Sequence, residues 1–252
     1  MKVITIANRK GGIGKTTTAA ALASCLQQKN HSVLLIDLDS QCNLSSNVGA
    51  DVMKKNILAV MTGKAKISTA IQPSKICDII PGSLELGKLY DAIGNKTGRE
   101  YKLLEALINI KDDYDYCVID TPPELGLATT NALTASDELI IPTTAETFSL
   151  DGVSQLFSSI QEVWKYTNKS LKIAGILVTL YNSRANLSKA MMDSLEKIAL
   201  KMDTKVFKTT IRRNIAVSEA QTLAQDLFEY KNKSTAAADY MAWVEEYLGG
   251  AN

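Results

Sequence analysis

The sequence has few of the residues that hold metal clusters. It contains one histidine, His31, and four cysteines that lie far apart and form no CxxC pair, namely Cys25, Cys42, Cys77 and Cys117. Zinc and iron–sulfur sites need several such ligands close together. The composition therefore excludes the common zinc and iron–sulfur spacings and predicts that the cysteines are reduced structural thiols.

Long apolar runs and linkers are also missing. The longest apolar stretches, such as Val33 to Ile36, are far shorter than the ~20 residues that a membrane-spanning helix needs. The first strand, Lys2 to Ala7, begins without the charged and apolar regions of a secretory signal, so we expect a cytoplasmic protein. No repeat, low-complexity tract or linker divides the 252 residues, and we expect one domain over residues 1–252.

The charges are unevenly distributed, although the net charge is only +1. Residues 165–233 carry 13 Lys/Arg and 6 Asp/Glu, whereas residues 1–164 carry 15 and 18 and residues 234–252 carry none and 3. We call residues 165–233 the basic stretch. Its charge predicts a face that binds a polyanion, and an ordinary solvated surface is the plain alternative.

Short β-branched runs alternate with segments of helical periodicity. This alternation is typical of an α/β fold, a mostly parallel twisted sheet with helices on both faces. The predicted strands are Lys2 to Ala7, Ser32 to Asp37, Cys77 to Ile80, Tyr116 to Asp120, Glu138 to Pro142, Lys172 to Leu180 and Lys205 to Phe207. The predicted helices are Lys15 to Gln28, Leu84 to Ala92, Tyr101 to Ile110, Leu127 to Ala135, Asp151 to Tyr166, Leu187 to Met202 and Thr235 to Leu248.

The clearest motif is a glycine-rich loop that follows the first strand and opens an alanine-rich helix, Lys10-Gly11-Gly12-Ile13-Gly14-Lys15-Thr16-Thr17. The backbone N–H groups of such a loop and the positive end of the helix bind phosphate oxygens. In this pattern Lys15 contacts the β- and γ-phosphates and the Thr16 hydroxyl binds Mg²⁺, so the motif predicts a P-loop NTPase. The strict GxxxxGK(S/T) pattern fails at its first position, where Arg9 stands instead of glycine.

Three acids stand at the ends of two apolar strands. Asp37 and Asp39 follow one strand, and Asp120 ends another. Ligands of open α/β sheets gather at the carboxyl ends of strands. We therefore expect Asp120 to hold Mg²⁺ through water, Asp37 to be a second water-mediated partner, and Asp39 to orient and activate the attacking water. A helix cap is the alternative role for each acid.

These segments together resemble the ParA/Soj family of deviant Walker-type partition ATPases across nearly the whole chain. The early lysine of the loop, Lys10, is the signature of that group. The other matching segments, in the family's order, are Asp37 to Asn43, Asp120 to Gly126, Asn131 to Asp137, Glu146 to Gly152, Tyr181 to Leu187, Phe207 to Asn214 and Ser218 to Ala220. The resemblance implies a Mg²⁺-dependent ATPase.

The resemblance also implies how ATP is bound and hydrolysed. ATP would be sandwiched in a homodimer, with Lys10 reaching the partner's phosphates, and the catalytic residues would be Lys10, Lys15 and Asp39. Residues 10–17 would bind the phosphates, and the adenine would lie near Thr179 and against the loop from Arg212 to Asn214.

For partners, the resemblance implies nonspecific DNA and a ParB-like centromere-binding protein that stimulates hydrolysis and releases the DNA. The residues expected to contact DNA are Arg184, Lys189 and Arg213. Such a protein would be associated with the nucleoid. Only nine residues precede Lys10, so we expect no N-terminal helix-turn-helix domain. The cargo stays open between a plasmid, a chromosome, an integrated element and a protein cluster.

Three positions depart from the family pattern. Ser40 stands where a proline is usual after the second acid, and Arg212 replaces the proline of the usual Pro-Arg-Asn, so the adenine contact is expected to differ in detail. Ala216 occupies a position that often holds a second DNA-binding arginine, which weakens the DNA assignment.

Other ATPases with the same loop are the alternatives. A MinD-like membrane-surface ATPase needs a basic amphipathic C-terminal helix, whereas this C-terminus has no Lys or Arg, and we interpret Tyr240, Val244 and Leu248 as a stripe packed on the core. A nitrogenase-iron-protein-like ATPase needs cysteine ligands, and a tyrosine kinase on this scaffold needs a C-terminal tyrosine cluster. An orphan ATPase that positions protein clusters also fits the motifs.

Overall fold

The structure, a computed structural model, describes residues 1–146, 149–182 and 186–249. Its centre is a sheet of six strands, β1 (Lys2–Ile6), β2 (Val33–Asp37), β3 (Asp78–Ile80), β4 (Tyr116–Asp120), β5 (Glu138–Thr144) and β6 (Lys172–Thr179). Neighbouring strands pair in the order β3-β2-β4-β1-β5-β6, and every pairing is parallel. The predicted α/β class with a parallel sheet is therefore confirmed.

Helices connect these strands. The described α-helices are α1 (Lys15–Gln28), α2 (Asn43–Asn47), α3 (Ile57–Met61), α4 (Leu89–Ile93), α5 (Lys102–Leu107), α6 (Leu127–Ala135), α7 (Ser149–Tyr166), α8 (Asn186–Lys201), α9 (Ile215–Thr222), α10 (Leu227–Lys231) and α11 (Thr235–Tyr247). The bounds of β4, α1 and α6 are those predicted. Two predicted helices are shorter: a 3-10 turn at Leu86–Lys88 containing Gly87 precedes α4, and 3-10 turns flank α5.

The predicted strand from Lys205 to Phe207 is wrong. Among the described residues, its strand-type pairing is limited to an isolated bridge between Val206 and Ile176, with a second bridge further on between Arg212 and Tyr181. Helices α2, α3, α9 and α10 were not predicted. Three of them have only 5 residues, which is too short for a helical period to be visible in the sequence.

Alternate side chains of the central strands point into opposite cores. Ile4 and Ile6 of β1 pack in the core that contains α1 and α11, whereas Val3 packs in the core that contains α3, α5 and α6. A third core lies between β5, β6, α7 and α8. Helices thus cover both faces of the sheet, as predicted.

Near the end of the chain, Tyr240 and Val244 are buried as predicted, but Leu248 is 37% exposed, because it follows the last turn of α11. In the part of the chain that the structure describes, no helix has the length and hydrophobicity to cross a bilayer.

Candidate active site

A cavity of about 840 Å³ opens at the carboxyl ends of the strands. The glycine-rich loop and Asp39 line one end of it, which we call the phosphate end. Thr179, residues 211–215 and Tyr240 line the other, which we call the base end. The cavity lies where ligands of parallel α/β sheets bind. All of the predicted phosphate and adenine residues except Lys10 and Ile13 line it.

The phosphate end is shaped by left-handed glycines. Gly12 and Gly14 have φ angles of 70° and 86°, which side chains other than glycine rarely adopt. Helix α1 begins directly after Gly14, and the Thr18 N–H donates to the Gly14 carbonyl at 2.8 Å. The loop therefore ends at the positive end of a 14-residue helix, which favours an anion.

Lys15 lies buried within this loop, and its ammonium donates to the Lys10 carbonyl at 3.1 Å. Burial lowers the pKa of Lys15, while the charges of Asp120 and Asp39 raise it. An ammonium with so little contact with water gains strongly from a bound anion. The geometry suits a group that binds phosphate oxygens.

Two acids face each other across neighbouring strands. Asp37 and Asp120 are register partners at the ends of β2 and β4, and both are fully buried. Burial raises the pKa of Asp120 well above its usual range, and the charge of Asp37 raises it further, while Thr16 and Lys15 act in the opposite direction. Neither oxygen of Asp120 accepts a hydrogen bond of normal geometry from the residues that the structure describes.

This donor set fits a hydrated magnesium ion. The buried oxygens of Asp120 accept no hydrogen bond of normal geometry from the described residues, and Thr16 adds a hydroxyl, so hard oxygen atoms with free lone pairs lie close together. No group of three or more His, Cys, Asp or Glu side chains in the described chain could hold a metal alone. Thr16 and Asp120 would therefore hold Mg²⁺ together with water and phosphate oxygens, and the bound ion would neutralise charge on the phosphates.

Asp37 makes hydrogen bonds to the protein that its predicted role as a water-mediated metal partner did not include. Its carboxylate accepts hydrogen bonds from the Asp39 N–H at 3.0 Å and from the N–H and hydroxyl of Ser45 at 2.9 and 2.7 Å. Burial raises the pKa of Asp37, and the hydrogen bonds from Ser45 oppose that shift. Asp37 therefore also fixes the turn that carries Asp39, in addition to any bond to a metal-bound water.

Asp39 is buried at the wall of the cavity beside the phosphate loop. One of its oxygens accepts the N–H of Gln41 at 2.9 Å, and this contact fixes the direction of the side chain. The main chain behind it is crowded, because a Cβ on Gly82 would lie 3.0 Å from the Asp39 carbonyl. The carboxylate is placed where it could orient a water molecule near a bound phosphate.

At the base end, Thr179 connects two parts of the cavity wall. Its hydroxyl lies within 2.7 Å of the Ile13 carbonyl and 3.0 Å of the Thr143 carbonyl. Arg212 departs most from expectation: its guanidinium makes a two-pronged contact with Asp239 at 2.9 and 2.6 Å. Asn214 caps α9 by accepting the Ala216 N–H at 2.9 Å. The predicted adenine residues line the cavity, but their side chains also support its wall.

The predicted cross-subunit lysine, Lys10, makes an ion pair within its own chain, and the structure describes only part of the predicted DNA-binding set. The ammonium of Lys10 pairs with Glu146 of the same chain at 2.7 Å. Arg213 is exposed on the rim of the cavity, and Lys189 belongs to α8. Arg184 lies outside the described residues.

Several residues that shape the site were not predicted. Ser45 and Gly82 support Asp37, and the Gly82 N–H donates to the Ser45 hydroxyl at 2.9 Å. Gln221 of α9 donates to the Thr17 hydroxyl at 2.9 Å. Asp239 and Tyr240 come from the last helix. None of them belongs to a motif, and only the glycine could have been suspected from the sequence.

The chain is similar to known proteins over most of its length. A family model described as an AAA domain, AAA_31, matches residues 1–173. The sporulation initiation inhibitor protein Soj of Bacillus subtilis is 37% identical over 97% of both chains. The chromosome partitioning protein ParA of Myxococcus xanthus is 34% identical over 98% of this chain and 88% of its own.

Solved structures agree with these matches. Cobyrinic acid a,c-diamide synthase from Mycobacterium smegmatis, with bound ADP and magnesium, is 31% identical with a TM-score of 0.85 over 98% of this chain and 94% of its own. A plasmid partition protein from Borrelia burgdorferi is 28% identical with a TM-score of 0.77 over 99% of both chains. On this evidence the chain belongs to the ParA/Soj family of partition ATPases.

Proposed function

We propose that this ATPase binds MgATP in the large cavity, that its ATP-bound homodimer binds DNA without sequence preference, and that a ParB-like partner stimulates hydrolysis and releases the DNA. The observation that carries the proposal is that Lys15, Thr16 and Asp39 line one cavity beside a helix N-terminus. The buried Asp120 adjoins Thr16 and Lys15, and Asp37 is its register partner on the next strand. ATP and Mg²⁺ are the cofactors, in keeping with the ADP, ATP analogue and magnesium bound by the Mycobacterium smegmatis relative.

The DNA-binding part of the proposal is supported by charge. The basic stretch carries a net charge of +7, whereas the rest of the chain is acidic. Arg213 is exposed beside the cavity, so a DNA-binding surface there would adjoin the nucleotide. Lysines and arginines that neutralise phosphates supply most of the affinity of nonspecific DNA binding. We assign this contact to Arg184, Lys189 and Arg213.

The dimer is proposed from the position of Lys10. Its half-buried ammonium contacts Glu146 and Thr144. In an ATP sandwich dimer it would reach the phosphates of the partner subunit. Lys10→Ala should therefore bind ATP as a monomer but fail to dimerise, which analytical ultracentrifugation with a nonhydrolysable ATP analogue would measure.

The membrane-surface alternative finds no support in α11. The helix contains three acids and no Lys or Arg, so an anionic bilayer would repel it. We also propose that residues 1–252 act as one domain in the cytoplasm, on the nucleoid.

The deciding experiment is retention of nonspecific duplex DNA over a series of salt concentrations, with and without a nonhydrolysable ATP analogue. The triple variant Arg184→Ala, Lys189→Ala, Arg213→Ala should bind more weakly and with a flatter salt dependence, because each lost phosphate contact lowers the slope by about 0.9. A second triple variant, Lys54→Ala, Lys64→Ala, Lys66→Ala, removes the same charge from exposed positions outside the basic stretch.

Two outcomes would contradict the proposal. If both triple variants lost the same amount of DNA retention, the DNA-binding surface could not be assigned to the basic stretch. If the wild-type protein retained DNA equally with and without the ATP analogue, the ATP-dependent switch itself would be contradicted. Addition of a ParB-like partner should then accelerate ATP hydrolysis and DNA release together.

A further inference from the structure

The last helix supports the base end of the cavity through one row of side chains. Thr235, Asp239 and Glu246 lie on the same side of α11, because their spacings of four and seven residues bring them to one face of a helix. All three contact residues 208–214, which we call the wall segment. The wall segment continues into the residues that line the cavity.

Each contact on this row is a hydrogen bond to a defined atom. Glu246 accepts the N–H groups of Lys208 and Thr209 at 2.8 and 2.9 Å. The Thr235 hydroxyl lies 2.6 Å from the side-chain nitrogen of Asn214. Asp239, between them, makes the largest set of contacts.

Asp239 holds Arg212 by three hydrogen bonds. The backbone N–H of Arg212 donates to one carboxylate oxygen at 3.0 Å, and the guanidinium donates to both oxygens, at 2.9 and 2.6 Å. The side chain of Asp239 is 11% exposed and that of Arg212 is 51% exposed. A carboxylate shielded from water and bound by both prongs of a guanidinium gives a stronger and more directional contact than an ordinary surface ion pair.

The wall segment needs this support because it is not a strand. Its main-chain bonds to β6 and to the residues just after that strand are made by its middle residue: the Ile211 N–H donates to the Val178 carbonyl at 2.8 Å, and the Ile211 carbonyl accepts the Tyr181 N–H at 2.9 Å. The next residue, Arg212, forms an isolated β-bridge with Tyr181. An irregular backbone outside the sheet ladder takes its position from side-chain contacts. Among the described residues, Asp239 supplies most of them at Arg212.

We propose that Asp239 is a positioning residue for nucleotide binding, which acts through Arg212 to hold the base end of the cavity in its binding shape. The inference rests on the proposed placement of ATP in this cavity. Asp239 lies behind the wall and acts on the nucleotide through the backbone of residues 212–214. It should therefore set the affinity for the nucleotide and leave the hydrolysis step unchanged.

The test is titration calorimetry with MgADP, which avoids hydrolysis, together with steady-state ATPase kinetics. Asp239→Asn should raise the Kd for MgADP and the KM for ATP about tenfold, since it removes a charged hydrogen-bond partner from the wall. The kcat should stay within about twofold of wild type, because a change that affects only binding raises KM alone. Arg212→Ala should act in the same direction.

Matched variants separate positioning from general damage. Glu245→Gln removes a carboxylate and an ion pair with Lys29 from the same helix, away from the cavity, and should leave the Kd unchanged. In the double variant Asp239→Asn, Arg212→Ala, the fold increase in the Kd for MgADP should be smaller than the product of the two single increases, because the two residues act as one unit. If Asp239→Asn does not fold, Arg212→Ala and its comparison with Glu245→Gln decide the question.

Two results would overturn the inference: an unchanged Kd in both Asp239→Asn and Arg212→Ala, or a lowered kcat with an unchanged KM. Lys15→Ala in the same titration keeps the two proposals apart. If Lys15→Ala loses MgADP while the α11 variants bind it normally, the placement of ATP stands and the role of Asp239 is wrong. If Lys15→Ala also binds normally, the placement itself is wrong.

Discussion

The two ends of the cavity are built in different ways. The phosphate end is formed by one continuous loop and Asp39, with Asp37 and Asp120 next to it at the ends of adjacent strands, and Lys15 and the three acids are buried. The base end joins three separate segments, Thr179, residues 211–215 and Tyr240, and its rim is exposed at Arg212, Arg213 and Ile215.

The two ends also differ in what fixes their geometry. At the phosphate end the geometry follows from the local backbone, through left-handed glycines, a helix start and strand ends in register. At the base end it follows from contacts between distant parts of the chain, such as Arg212 with Asp239. Changes at the phosphate end should therefore affect the reaction most, and changes at the base end should affect affinity and stability.

The largest effect should come from Asp39→Ala. If Asp39 orients the attacking water, this variant should hydrolyse ATP on the order of a thousandfold more slowly, while its affinity for ATP stays close to wild type. Single-turnover hydrolysis and nucleotide titration would measure the two quantities separately. Asp51→Ala, which removes an exposed acid outside the cavity, is the control. Turnover of Asp39→Ala at the wild-type rate would show that the phosphate end does not contain the catalytic acid.

Next in size is Lys15→Ala. The buried ammonium is held by the loop that would surround the phosphates, and its loss should weaken nucleotide binding about a hundredfold, as expected for removal of a strong charged contact. Titration with MgADP would measure this change. Lys29→Ala at the other end of α1 should bind normally. If Lys15→Ala weakened MgADP binding less than Asp239→Asn does, the base end would contribute more to affinity than the phosphate end, which is the reverse of our expectation.

The same contrast explains how much could be predicted from the sequence. Lys15, Thr16, Asp37 and Asp120 could be proposed as site residues from the sequence, because their positions depend on short-range geometry that repeats wherever a strand meets a phosphate loop. The contact between Asp239 and Arg212 could not be predicted, because the two residues are 27 positions apart in the chain and meet only when α11 packs in place.

The strand predicted from Lys205 to Phe207 was wrong for the same reason. Its residue types favour a strand, but they do not reveal that the Phe207 ring packs against the backbone of Gly175. A single bridge between Val206 and Ile176 sets this segment beside β6, and no local signal in the sequence indicates that pairing.

Gly175→Ala would test the packing that leads into the base end. A Cβ at this position would lie 2.5 Å from the Phe207 ring, so either the ring or β6 would have to move. We expect a loss of about 1–3 kcal/mol in the free energy of unfolding, typical of an overpacked core. Urea denaturation would measure it. Gly87→Ala, where a Cβ meets no atom within 4 Å, is the control, and an equal loss in both variants would contradict the explanation.

The smallest effect should come from Tyr240→Phe, at the point where α11 meets the phosphate end. Burial raises the pKa of Tyr240 to about 12, and its hydroxyl lies 3.4 Å from that of Thr18, which is long for a bond between hydroxyls. The ring would keep its edge-to-face contact with Trp243 at 6.2 Å. We therefore expect a loss of less than about 1 kcal/mol in stability and almost no change in affinity for MgADP. A tenfold loss of affinity would mean that this hydroxyl couples α11 to the phosphate loop, and the two ends of the cavity would then have to be treated as one.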